Sequence, residues 1–323
     1  MPKREAGDFP LLKYLDSLVE NLRKLVAPAI KGEDEDAVHD ARVTTRRLKA
    51  ATDLLEGATS NRHRKPFNRV TKTLRRQLGP LRDLDVMLEH VGEFKQPTME
   101  GAVRWLGVRL GEIRNETVKR AANDAPPARM LARLGSWWGL HHEIAGAKDR
   151  VGELLSQSVH LQLDAFVEQA NELTGQRRGD PHELRIAGKS LRYTLEMARE
   201  QGVRLPVSVT ALFKRMQGAL GLWHDYVVLA ERMMQESVES ELALHDPQLQ
   251  IQVLKLTQLT LGKSQGQLNK MAKLWKTRGE GLMGTIRGAF PLTKHMQTSA
   301  AAETTSDEGG VSVVVESSSV PAA

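Results

Sequence analysis

The 323-residue chain contains no cysteine. That excludes disulfides, a thiol nucleophile and any metal site built on thiolates, and it agrees with a reducing compartment. Aromatic residues make up only 4% of the chain, too few for the stacking platforms with which single-strand nucleic-acid readers hold successive bases. No apolar run reaches the roughly 18 to 20 residues that a spanning helix needs. The opening MPKREAGDFPLLKYLDSL lacks the apolar stretch of a secretory signal. Strand-like alternation is nearly absent before residue 311, and no HExxH, EF-hand or P-loop pattern occurs. The expectation is a soluble, cytoplasmic, all-α protein with no metal and no cofactor.

What the chain does contain is amphipathic helix. Leu11, Leu12, Leu15, Leu18, Leu22 and Val26 keep one apolar stripe between charged residues. The periodicity predicts further helices over 36–55, 64–78, 82–95, 98–121, 127–147 and 149–174. After the turn-like GQRRGDP at 175–181 it predicts helices over 182–201, 206–220, 222–243, 246–261 and 263–289. Bundles are the economical way to bury so many stripes. From Thr298 the composition turns to Ser, Ala and Gly, which predicts a disordered tail over 298–323.

Charge is modest in sum and uneven in placement. Lys and Arg number 46 against 40 Asp and Glu, a formal net charge of +6. A basic balance favours nucleic acid, another polyanion or an acidic membrane surface without choosing among them. No acid occurs from Asn61 to Arg82, where Arg69, Lys72 and Arg76 share one helix face. The second half has an acid-free stretch between Glu200 and Asp225 that holds Lys214.

A repeat organises this charge. HDARVTTRRLKAATD at 39–53 aligns with HELRIAGKSLRYTLE at 182–196, so that His39, Arg42, Arg46 and Lys49 match His182, Arg185, Lys189 and Arg192. LGPLRDLDV at 78–86 then aligns with LGLWHDYVV at 220–228, matching Arg82 and Asp83 with His224 and Asp225. Two ordered matches at nearly constant offset indicate an internal duplication: an N-terminal half over 1–174, a linker over 175–181 and a C-terminal half over 182–297. Steps of three, four and three residues place each histidine–basic set within about 80 degrees of one helix face. Like charges so placed repel and need compensation, from neighbouring carboxylates or from an anionic ligand. A solvated charged face is the competing reading, and it would ordinarily mix signs.

These motifs resemble both half-motifs of the CHAD family, the conserved-histidine α-helical domain, over roughly residues 10 to 290. The resemblance implies two helical bundles related by a pseudo-twofold axis around a basic central groove or pore. It also implies binding of inorganic polyphosphate and residence at polyphosphate granules. On this resemblance His39, Arg42, Arg46, Arg47 and Lys49 are carried over in the first half, with His182, Arg185, Lys189, Arg192 and Tyr193 in the second. Arg82 and His224 fall on the matched second motif; Asp83, Asp225 and Tyr193 are expected to orient the others. Ser190 stands opposite Arg47, and His224 opposite Arg82, where a histidine gains charge as pH falls.

The chemistry suits a phosphate chain. Arginine offers a fork of donors for paired oxygens, and lysine a compact charge tolerant of position. Either His39 and His182 donate to phosphate or hold neighbouring Arg and Asp side chains, or they are buried contacts between helices. The alternating glutamates of a triphosphate-processing domain, fused to some family members, are absent, so no catalytic residue is expected. The alternatives are a nucleic-acid binder using the same basic surface, or an enzyme or accessory subunit of polyphosphate metabolism. Phosphoryl transfer ordinarily needs carboxylates for Mg2+, and only Asp83 and Asp225 recur near the basic motifs. His141, His142 and Glu143 do not form a metal set, because adjacent residues on a helix do not face the same way.

Overall fold

In the computed structural model, residues 9–291 are described apart from 33 and 176–178. The order is α1 (Pro10–Lys31), α2 (Glu35–Leu54), α3 (Asn61–Glu93), α4 (Glu100–Asp124), α5 (Pro127–Leu134), α6 (Trp137–Gly146) and α7 (Val151–Thr174). It continues with α8 (Pro181–Glu200), α9 (Val207–Glu239), α10 (Leu242–His245) and α11 (Pro247–Ala289). No strand occurs among the described residues, and no helix there is long and apolar enough to cross a membrane. The expected tail over 298–323 lies outside the described residues.

Start signals in the sequence place the basic helices. Asp34 caps α2, accepting from the amides of Asp36 and Ala37, and Asp180 caps α8, accepting from the His182 amide. Each satisfies donors that the first turn cannot pair internally. Gly32, at φ +65°, supplies the left-handed turn that ends α1.

Glycine and proline misplace several boundaries in a reading by periodicity. The helices expected over 64–78 and 82–95 are one continuous α3 that runs through Gly79 and Pro80. Likewise α9 continues through Gly221 and α11 through Gly262. A glycine costs a helix interior only about 1 kcal/mol, and a proline roughly 3. In α3 the flanking Leu74, Leu78, Leu81 and Leu84 are all buried, which outweighs such costs. Conversely, the helix expected over 127–147 breaks into α5 and α6 at Gly135 and Ser136.

The helices preceding and following the break at 175–181 pack in the same sequence. Helix α1 packs on α2, α2 on α3 and α3 on α4; α7 packs on α8, α8 on α9 and α9 on α11. Helices α2 and α8 have 20 residues each, and α3 and α9 have 33 each. One apolar core runs from Leu11 and Leu15 of α1 through Phe67 of α3 to Phe166 of α7, Leu191 of α8 and Ile286 of α11. A second core gathers Leu84, Met87 and Val91 of α3 with Leu106 of α4, Leu229 of α9 and Leu256 of α11. The described residues to Phe290 thus form a single compact unit in which α2 also packs against α8. That last contact brings the two basic helices together.

Candidate functional site: a cationic cluster between α2 and α8

Arg42 links the two first-half motifs. It is half-buried, and its Nη2 donates to Oδ1 of Asp83 across 3.3 Å. A β-carbon on residue 79 would lie 2.7 Å from Arg42 Nη1, so Gly79 gives the guanidinium the room it occupies against α3. Burial lowers the Arg42 pKa; Asp83 opposes that effect, and Arg46, Arg185 and Arg82 add to it. Asp85, two residues on, projects from the other side of α3, because two residues turn a helix by about 200 degrees. Its buried carboxylate accepts from Arg114 Nε at 2.6 Å, and Arg114 also donates to the Gly32 carbonyl at 3.2 Å. One acid of LRDLDV therefore serves the cluster and the other ties α4 to α3 and the α1–α2 corner.

The second half adds Arg185 and Lys189. Burial lowers the Arg185 pKa, with Asp225 opposing and Arg46 reinforcing. The buried Nε of Arg185 has no hydrogen-bond partner among the described residues. Lys189 is pushed down to about 6 by burial, then by Arg46 and Arg185, with Asp225 too weak to compensate. Among the described residues Lys189 makes no ion pair with a carboxylate. Arg46, Lys49, Arg75, Arg185 and Lys189 line one open cleft of about 290 Å3 together with Asp53 and the buried Tyr193. Lys49 is held by Asp53 on its own helix.

The histidines sit at the edge of this cluster. His39 and His182 are exposed, which removes the reading of both as buried helix contacts. Partial burial and the nearby Arg82 lower the His39 pKa. The rings of His182 and His224 stack with centroids 6.0 Å apart, and His224 Nδ1 lies 3.3 Å from Oδ1 of Asp225. Asp83 therefore holds Arg42, and Asp225 contacts His224 while facing Arg185 and Lys189.

Other expected residues lie elsewhere. Arg47 Nε donates to Glu196 Oε2 at 2.8 Å, and Arg192 Nε stands 3.4 Å from the other oxygen of that carboxylate. Glu196 is thus a brace between α2 and α8. Arg192 also lies over the Tyr193 ring, 4.8 Å from its centroid. Arg69, Lys72 and Arg76 are on the exposed side of α3, where Arg69 lines a separate cleft with Arg133. Lys214 lines a different, mostly apolar pocket beside the end of α11.

Arg75 is a cluster residue that the face of Arg69, Lys72 and Arg76 does not predict. Its Nη1 donates to the Thr45 carbonyl of α2 at 2.9 Å, and burial lowers its pKa. A signal was present, since residues 75, 79 and 82 fall at steps of four and three and share the face that Gly79 turns toward Arg42.

The fold and site define an all-α protein in which two helices of equal length, from separate parts of the chain, set arginine and lysine side chains against one another. A family model for the CHAD domain matches residues 13–234, and the chain belongs to the CHAD domain family. Its structure is similar to the crystal structure of the CHAD domain from the plant Ricinus communis, at 23% sequence identity and a TM-score of 0.59. That similarity covers 84% of this chain and 90% of the plant chain. A comparison with curated proteins finds no match.

Proposed function

We propose that this protein binds inorganic polyphosphate through Arg42, Arg46, Arg75, Arg185 and Lys189, without turning it over. The observation that carries this reading is the uncompensated charge where α2 meets α8. Burial lowers the pKa values of Arg42, Arg185 and Lys189, the Arg46 guanidinium adds to the effect on all three, and the carboxylates that oppose it are Asp83 and Asp225. A linear polyanion supplies many phosphate oxygens to such a cluster and relieves repulsion that the protein alone does not relieve. Membership of a family with polyphosphate-related roles supports the same ligand. On this reading the matched helix lengths and Asp caps reflect an internal duplication, and the two basic helices border one groove for the chain of phosphates.

The reading is non-catalytic because the acids at the cluster already hold protein partners, Asp83 on Arg42, Asp225 on His224 and Asp53 on Lys49. Residence at polyphosphate granules follows from ligand binding and is part of the same proposal. The test is calorimetric titration with long-chain polyphosphate at two salt concentrations, using wild type, Arg42→Ala/Arg46→Ala and Arg185→Ala/Lys189→Ala, with duplex DNA at equal phosphate concentration as control. Tight binding that both double variants weaken at least tenfold, well ahead of DNA, is the expected result. Affinity no greater than for DNA, or indifferent to both pairs, would overturn it. Phosphate release in the presence of Mg2+ or Mn2+ would overturn the non-catalytic part.

A further inference from the structure

Where the α8–α9 connector meets the end of α11, the protein has a second cavity of about 430 Å3. Leu195, Val203, Leu205, Val209, Phe213 and Ile286 make it predominantly apolar. Its size and lining are those of a small-molecule pocket, in which a few polar groups at one end fix orientation. The charged groups here are four cations, Arg192, Arg199, Arg204 and Lys214, and one acid, Glu196, which Arg47 and Arg192 already hold. Arg204 and Lys214 belong to the wall, are exposed, and form no ion pair among the described residues. The other cations of the wall are partnered: Arg199 pairs with Glu200 at 2.7 Å, and Arg192 stands beside Glu196.

Two further observations point to an anion at the same mouth. Helix α9 begins there at Val207 with no side-chain cap and no acid in its first turn, so although the Val209 and Thr210 amides donate to the Pro206 carbonyl, its positive dipole end meets no carboxylate of its own. The start of α3, the other 33-residue helix, is treated differently. There the Trp137 ring packs 5.2 Å from Phe67, and Glu143 accepts from the Ser60 amide at 2.8 Å and meets His63 at 2.8 Å. Neither helix caps its own start, but α3 has the Glu143 carboxylate of α6 beside it, whereas α9 opens onto an apolar cavity beside Arg204 and Lys214.

We propose that this pocket binds an amphiphilic anion, a free molecule with one acidic head on a hydrocarbon chain. The chain occupies the space between Leu195, Leu205 and Phe213, and the head lies between Arg204, Lys214 and the first turn of α9. This inference does not depend on the polyphosphate reading, since Arg204 and Lys214 stand outside the α2–α8 cluster.

The test is titration of the full-length protein with dodecanoate and with dodecyltrimethylammonium, both below micelle formation. One-to-one binding of dodecanoate, at least tenfold tighter than the ammonium compound, is expected. Arg204→Glu/Lys214→Glu changes only exposed side chains and should abolish or reverse that preference, while Leu205→Asp should weaken dodecanoate at least tenfold. No saturable binding, equal binding of the two compounds, or a preference that survives the charge reversal overturns the proposal. Displacement of dodecanoate by excess polyphosphate would put the amphiphile in the α2–α8 cluster and overturn the location. Sedimentation with phosphatidylglycerol vesicles that Leu205→Asp abolishes would assign the pocket to a membrane lipid instead.

Discussion

The Arg42 guanidinium occupies the space that a β-carbon on residue 79 would need, with Nη1 only 2.7 Å from that point. The relationship separates function from stability. The obstructing atom is the end of a long side chain, which can swing away, whereas the Gly79 backbone sits in the middle of α3. Gly79→Ala is therefore expected to displace Arg42 from Asp83 and weaken polyphosphate binding about three- to tenfold, with stability changed by no more than about 1 kcal/mol. The matching Gly221 has nothing within 4 Å of its β position. Gly221→Ala should leave binding unchanged and stabilise by up to about 1 kcal/mol through helix propensity alone. Calorimetry and thermal melts of the two variants make the comparison.

Salt provides a count of the cations that meet the ligand. For a single-stranded polyanion, log K falls with log salt at a slope of roughly 0.7 per neutralised charge. Arg42→Ala/Arg46→Ala should reduce the slope by about 1.4, whereas Arg69→Ala/Lys72→Ala, on the outer side of α3, should leave it unchanged. Binding measured across a salt series reads both slopes.

Lys189 gives binding a pH dependence of defined sign. It is faced by Arg42 and Arg46 of α2, Arg185 of its own helix and Asp225 of α9, and its pKa stands at about 6 instead of 10.5. At neutral pH the free site therefore holds mostly neutral amine, and a bound anion favours the ammonium. Binding should take up a proton and tighten as pH falls from 8 toward 6. Titrations in buffers of different ionisation enthalpy measure that proton, and Lys189→Arg should remove its share of the pH dependence.

The same residue carries a stability cost. Between about pH 6 and 10.5 the unfolded chain holds a proton on Lys189 that the folded protein lacks, so stability rises with pH across this window. Lys189→Met is expected to raise Tm at pH 7 by about 2 to 4 °C, roughly the effect of 1 kcal/mol in a domain of this size. It should weaken polyphosphate binding at pH 6 in the same preparation.

Asp85 is the opposite case, an acid whose loss should damage the fold. Its fully buried side chain accepts from Arg114 at 2.6 Å. Asp85→Ala leaves that guanidinium uncompensated and should cost about 3 to 5 kcal/mol. Urea denaturation at pH 7 measures the loss. Asp83→Ala, at an exposed position, should cost far less stability and act on ligand affinity through Arg42.

The sequence by itself determined the helical class, the two basic motifs and their shared faces, because periodicity and spacing along one helix are local geometry. It also determined that the basic side chains Arg42, Arg46, Arg185 and Lys189 stand at matched positions of two motifs. Tertiary structure decided which charges meet. Arg47 and Arg192 turn to Glu196, Lys214 turns to an apolar pocket, and Arg75 enters the cleft, since a helix face acquires neighbours only when another helix packs against it. The same packing carries α3 through Gly79 and Pro80 and gives Asp83 and Asp85 different work. Local propensities of about 1 kcal/mol set the expectation at each such position, and burial of the leucines on either side outweighed it.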